Sequence, residues 1–279
     1  MTTQACSVTF LLRVLTTVLL AGAANIAHAD LVFAVNEGVT YRVPNSEIRV
    51  KYAAIAADLS KLLKQPVVIE PIADYPTLRQ GLADKAYDLA MVHPAHVSIG
   101  AMKNSGYQLL AVTKGFENYR ANFLVNAASP LKTLADLKGS KIGAPDEDSI
   151  TSWMTRASLR DALGADAKKV SFVYTRYQDA VPFFVENNLT PSGATAAGSV
   201  IKAWTSKGGK VLFQSKPVPI KHIIASPNLK ADDLALVRSY LLTLDSTDEG
   251  KTKLSPTKYA GFAAYDRSAM LEIGTWLGL

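Results

Sequence analysis

Along most of the chain, short runs of apolar and β-branched residues alternate with longer stretches in which apolar positions recur every three or four residues. "LVFAV" (31–35) is a predicted strand. "SEIRVKYAAIAADLSKLLKQ" (46–65) carries a helical stripe of Ile48, Tyr52, Ile55, Leu59 and Leu62, with Ser46 as its predicted N-cap. "PVVIEPI" predicts a strand, "YPTLRQGLADKA" a short helix and "YDLAMV" a strand. After His93-Pro94 a helical run reaches about Lys103, and "YQLLAVT" follows as a strand. These strands are nearly continuous in apolar residues, the pattern of a parallel sheet covered on both faces.

A second series begins at "ANFLVNA" and "KIGAP". It continues through a helix over Ser152 to Leu163, "KVSFVYT", a helix over Gln178 to Asn187, "GATAAG", a helix containing Trp204, and "KVLFQS". "KGFENYR" (114–120) lies between the two series, and "SKPVPIKHIIAS" (215–226) follows the second with two prolines around one hydrophobic residue. Two series joined by two crossings predict a two-lobed α/β protein whose lobes are each a mixed, mainly parallel sheet flanked by helices. Lobe one is expected to hold residues 30–115 and 216–279, and lobe two residues 116–215. The tail from about Asp232 is predicted to be helical and to pack back on the first lobe. A cleft between hinged lobes is where ligands usually sit. No internal repeat or low-complexity tract interrupts the pattern.

The N-terminus adds a destination. Phe10 to Ala29 carries one positive charge, Arg13, and an apolar run that gives way to small residues and ends in Ala27-His28-Ala29, the small-x-small form of a signal peptidase site. The uncharged run after Arg13, about fourteen residues, falls short of the roughly 20 that a spanning helix needs. Residues 1–29 are therefore expected to be a cleaved signal, leaving 250 exported residues. Cys6 leaves with the signal, so neither a disulfide nor a lipid anchor is expected, and 250 residues bury an ample core without one. Charge changes the picture little. Removing Arg13 takes 30 basic residues to 29 against 24 acids, a net +5. The basic residues are scattered without interleaved aromatics, which argues against nucleic acid, while a mild positive field favours small anions.

Candidate chemistry concentrates at strand ends. "KIGAPDEDSITSW" (141–153) passes from a strand through three acids to a helix that opens on Ser149, Thr151 and Ser152. A helix N-terminus presents unpaired N–H groups and a partial positive charge, and hydroxyls there add donors without net charge. The same residue types are also the commonest plain caps. Asp146, Glu147 and Asp148 would repel an anion unless they face outward, complement the helix dipole, or hold the cationic group of a zwitterion; Asp148 is kept as a candidate contact. His93 at the end of a parallel strand, Tyr41 and Arg42 beyond the first strand, and Thr195 in the small-residue stretch "SGATAAGS" stand where open α/β sheets form their crevices. His93 and His96, with Met91 nearby, have a spacing open to metal binding, but Pro94 intervenes and no third histidine is close in sequence, so no metal and no cofactor are assigned.

"SPLKTLADLKGSKIGAPDEDSITS", "YDLAMVHPAH", "YTRYQDAVPFFVENN" and "SKPVPIKHIIAS" resemble segments of type II periplasmic solute-binding proteins, in particular the phosphate/phosphite/phosphonate-binding branch attached to ABC importers. The resemblance implies a receptor that closes on a small oxyanion and delivers it to a permease, with Ser149, Thr151 and Ser152 as anion donors. It departs in two places. Where the family has Gly-Pro-x-x-Tyr after the first-lobe strand, this chain has His93-Pro94-Ala95-His96-Val97, and where phosphonate binders carry a histidine it has Gln178. His93, Arg176 or Tyr177 would have to supply the missing donors.

Two competing functions frame the expectation. An enzyme finds no support: there is no G-x-S-x-G or G-x-G-x-x-G, no cysteine after cleavage, and in "DSTDEGKT" Asp245 stands where a phosphate loop needs its first glycine. A ligand-sensing module reporting to a membrane kinase would use the same clamp. The expectation is a monomeric exported receptor for a small anionic or zwitterionic solute, with a permease or sensor at the inner membrane as partner.

Overall fold

A computed structural model of the protein describes residues 29–38 and 43–279. The expected signal segment, apart from Ala29, and both Tyr41 and Arg42 lie outside the described residues.

Two mixed sheets organise the chain. The first takes β1 (Leu31–Asn36), β2 (Val67–Pro71), β3 (Leu89–Val92), β4 (Gln108–Thr113), β10 (His222–Ala225) and β11 (Phe262–Ala263), in the order β11-β4-β10-β3-β1-β2. The second takes β5 (Asn122–Val125), β6 (Lys141–Ala144), β7 (Ser171–Tyr174), β8 (Ser192–Thr195) and β9 (Lys210–Gln214), in the order β7-β6-β8-β5-β9. Parallel pairing belongs to the β-α-β units: β1 with β2 and β3, and β6 with β7 and β8. The strands that carry the chain between sheets or back to them, β10, β5 and β9, pair antiparallel. Tyr119 of the first crossing bridges Val218 of the second, so the two connections run side by side.

The helices follow the apolar periodicities. α1 (Asn45–Leu63) buries Ile48, Tyr52, Ile55 and Leu59 against the first sheet, with Leu62 half-buried at its end. Ser46 is not its cap: Pro44 holds that position, without a side-chain hydrogen bond, and Ser46 lies exposed in the first turn. α2 (Tyr75–Ala83) starts at Asp74, whose carboxylate accepts from the Thr77 amide at 2.8 Å. α3 (Ala95–Asn104) follows β3 directly. The expected helix over Gln178 to Asn187 divides into a 3-10 turn, Gln178–Ala180, and α5 (Val181–Glu186), because Pro182 cannot donate to the preceding turn and so sits in the first turn of a new helix. α5 lies on β6 and β8, where a Cβ on Gly193 would come 2.7 Å from Val181 Cγ1 and one on Gly143 3.0 Å from Phe184. Those glycines serve helix packing.

α4 (Ile150–Leu163) joins the lobes. Its residues Ile150, Met154 and Ala157 belong to one buried apolar cluster with Val97, Ile99 and Met102 of α3 and Met270 and Leu277 of α9 (Arg267–Leu277). Of the tail, α7 (Ala231–Thr243) packs on the first sheet, whereas α9 touches α3 and also α4. Among the described residues, no helix is long and apolar enough to cross a membrane.

Candidate functional site

The parallel strands β6, β7 and β8 end along one edge of the second sheet, and each exit contributes to a shared cluster. The β6 exit runs through Pro145 to Ser149, the N-cap of α4, whose Oγ accepts from the Ser152 amide at 3.2 Å. Ser152 Oγ donates to the Pro145 carbonyl at 3.0 Å and lies 3.2 Å from Ser149 Oγ. Both serine hydroxyls are thus committed to the turn itself. Thr151 is fully buried, and its Oγ1 stands 3.5 Å from the hydroxyl of Tyr119 on the first crossing. That hydroxyl accepts from Gln178 Nε2 at 2.8 Å, while Gln178 Oε1 accepts from Thr195 Oγ1 at 3.1 Å and from the Ala196 amide at 2.6 Å. Thr151 and Thr195, named from the sequence on separate grounds, therefore meet through Tyr119 and Gln178.

Asp148 leads elsewhere. Its two oxygens take a forked pair of bonds from Arg79 of α2, at 2.8 and 2.7 Å. His96 Nε2 of α3 is 3.2 Å away and Trp153 Nε1 3.3 Å. Burial alone would raise this carboxyl, yet the hydrogen bonds from His96 and Arg79, with the charge of the arginine, hold it well below the usual carboxylate range. The cation beside Asp148 is thus an arginine of the other lobe. His96 is itself buried and lowered, chiefly by desolvation, and its ring stacks on Trp153 with centroids 5.1 Å apart. With Leu82, Val97 and Gly100, these groups line a cavity of about 470 Å³ where the lobes join. Asp146 is a turn residue, its Oδ1 accepting from the Asp148 amide at 2.9 Å. Glu147 is exposed.

On the first lobe, His93 Nδ1 lies 3.2 Å from the Glu37 carbonyl, an arrangement in which the neutral ring donates. Burial pulls its pKa down to about 4, and the charge of Lys221 adds to the effect. The ring leaves no room for a side chain at Gly38, where φ is +99° and a Cβ would fall 2.6 Å from Nδ1. The Glu37 side chain accepts from Tyr52 at 2.6 Å, from Tyr259 at 2.9 Å and from Lys221 at 3.2 Å. Burial would raise Glu37, but Lys221 and the two tyrosines hold it below its ordinary value. Lys221 is lowered too, because burial removes its charge from water. The Lys221 ammonium also stands 4.6 Å from the Phe116 ring centre and 4.7 Å from that of Tyr259.

Arg176 and Tyr177, expected to replace the family donors, are both exposed at the β7 exit and face each other, guanidinium 5.3 Å from the ring centre. His93 and His96 turn to different partners, and no group of three or more His, Cys, Asp or Glu side chains able to hold a metal occurs among the described residues. Tyr119, Arg79 and Trp153 were not singled out from the sequence, because nothing local marks a residue whose partner is distant.

Two mixed α/β sheets flanked by helices and joined by two adjacent crossings have the fold of two-lobed type II solute-binding proteins. The family can be stated as well. The chain belongs to the family described as ABC transporter, phosphonate, periplasmic substrate-binding protein, whose model matches residues 38–270. Among solved structures, a Xanthomonas citri protein bound to ATP resembles it over 90% of this chain and 98% of its own, with TM-score 0.71 and 15% identity. PhnD1 from Prochlorococcus marinus in complex with methylphosphonate does so over 88% and 96%, at 0.63 and 16%. A binding protein component of an ABC phosphonate transporter from Pseudomonas aeruginosa does so over 88% and 84%, at 0.59 and 16%. At such identities the likeness is one of fold. No curated protein matches the chain. The family is one of substrate-binding proteins rather than enzymes, and it implies a periplasmic location, a small solute and a permease partner.

Proposed function

We propose that the protein captures a small oxyanion, of the phosphonate, phosphite or phosphate type, between its lobes and delivers it to an ABC importer. It does so as an exported monomer, freed of residues 1–29, with lobe one (30–115 and 216–279) closing on lobe two (116–215). The observation that carries this reading is the set of uncharged hydroxyls Thr151, Tyr119 and Thr195, linked to one another through Gln178 at the strand ends of the second lobe. Beside it, the amides of Ile150 and Thr151 in the first turn of α4 have no intrahelical acceptor and carry the positive end of the helix dipole. Asp148, the acid nearest that turn, is neutralised by Arg79 and so does not repel an anion. Hydroxyls, an amide and a helix terminus suit a desolvated anion held by dipoles alone. Methylphosphonate in PhnD1 supports the cargo class.

A melting screen over methylphosphonate, phosphite, phosphate, alkylsulfonates and ATP tests the proposal. A solute at 100 times its Kd adds about 2.7 kcal/mol to stability, so at least one phosphorus oxyanion should raise Tm clearly. A shift with ATP alone, or with none of them, overturns the assignment.

A further inference from the structure

Gln178 stands where two donors at the strand ends of the second lobe converge, and its own amide oxygen takes them. The Ala196 amide can only donate, so the atom 2.6 Å from it is Oε1, which also accepts from Thr195 Oγ1 at 3.1 Å. This orientation turns Nε2 toward Tyr119, whose hydroxyl it meets at 2.8 Å. One carbonyl oxygen in a two-donor seat is what a single oxygen of a bound oxyanion would look like. Building on the receptor reading above, we propose that Gln178 is a specificity-determining residue that acts as an internal competitor: its amide oxygen fills a cargo seat and yields it only to an ionised oxygen.

The physical basis is a difference between two acceptors. A bond from N–H or O–H to an anionic oxygen is shorter and roughly twice as strong as one to a neutral amide. A charged cargo oxygen therefore gains from displacing Gln178, whereas a neutral ester or alcohol exchanges like for like and loses the Nε2 bond to Tyr119. Displacement is local, because Gln178 opens a 3-10 turn at the half-buried rim, between exposed Tyr177 and Asp179. Gln178 thus lowers affinity for every cargo and lowers it most for uncharged ones.

Two variants give opposite signs. Gln178→Ala vacates the seat and should tighten methylphosphonate or phosphite binding about tenfold, equal to about 1.4 kcal/mol. Gln178→Glu keeps both acceptor bonds and adds a charge that repels the anion, so binding should weaken at least as much. Titration calorimetry reads both affinities, and melting without added anion checks that each variant is folded; Gln178→Glu retains the Thr195 and Ala196 contacts if the alanine variant is not. Weaker or unchanged binding by a folded Gln178→Ala, or unchanged binding by Gln178→Glu, overturns the inference while leaving the receptor reading intact. Binding by neither the wild type nor the alanine variant overturns both.

Discussion

Two acid–base clusters sit at strand exits of this molecule, and they differ in what they join. Glu37 with Lys221, Tyr52 and Tyr259 lies wholly on the first-lobe side, with carboxylate and ammonium side chains only 10% and 12% exposed. Asp148 with Arg79 and His96 crosses from one lobe to the other, with its carboxylate and guanidinium side chains 36% and 40% exposed. A buried ion pair is demanding, because desolvation must be matched by every bond the pair can make. A half-exposed pair contributes little to folding but fixes a geometry. The first cluster therefore holds the hinge side of one lobe together, and the second sets how the lobes meet.

The largest effect expected from this contrast is on the first cluster. Glu37→Ala leaves Lys221 buried beside two rings without its counter-charge and should cost about 3 to 5 kcal/mol of unfolding free energy. Denaturant unfolding measures it. The double variant Glu37→Leu with Lys221→Met removes both charges and should recover most of that loss, since apolar replacements of a buried pair are often neutral. A double variant as unstable as the single one would show that the tyrosine bonds, not the ion pair, hold this region.

Acidification probes the same side of the molecule. His93, on the Glu37 carbonyl, and His222, next to Lys221 in sequence, are each lowered to about 4, mainly by burial. A lowered histidine binds fewer protons in the folded protein than in the unfolded chain, so stability falls as pH drops below the unfolded value near 6.5 and continues to fall until about 4. By pH 5 each imidazole should have removed roughly 2 kcal/mol. His96 is lowered as well and adds in the same direction. Asp148 does not contribute here: its depressed carboxyl stabilises at every pH above the unfolded value near 3.9, and that contribution is lost only as pH falls through the folded one. Unfolding midpoints that stay flat from pH 7 to 5 would contradict the buried neutral state of these rings.

Much of this architecture was legible because periodicity is a local property. The stripe Ile48, Tyr52, Ile55, Leu59 turns inward as its spacing requires, and the alternation of apolar runs with helices anticipated two sheets and two crossings. Strand direction at β10, β5 and β9 was not legible, because a short apolar run reads the same whichever way its neighbour points. At the candidate site the limit is different. Ser149 and Ser152 were equally compatible with capping and with ligand contact, and in the fold their hydroxyls serve the turn. Thr151 and Thr195 were named separately, but the link between them passes through Tyr119 and Gln178, which stand 59 residues apart. Asp148 was left open between dipole and ligand because its partner, Arg79, lies 69 residues away on a helix with no motif.

The smallest expected change in stability, and the sharpest test of the comparison, lies at Asp148. Both partners of the Arg79 pair are more than a third exposed, so Asp148→Asn should alter unfolding free energy by about 1 kcal/mol or less. What it removes is a forked bond that only one relative placement of the lobes allows, together with the anchor for Trp153 Nε1 and His96 Nε2. The apolar contact of Ile150, Met154 and Ala157 with α3 and α9 persists, so the lobes keep part of their attraction. The variant should therefore populate wider lobe separations, seen as a longer distance between spin labels on exposed Lys138 and Lys85, one on each lobe. Arg79→Ala should reproduce that shift, and combining the two should add nothing, because they break the same bond. If Asp148→Asn instead destabilised the fold as Glu37→Ala does, leaving the label distance unchanged, the two clusters would share one structural role and the division between holding a lobe and setting the cleft would fail.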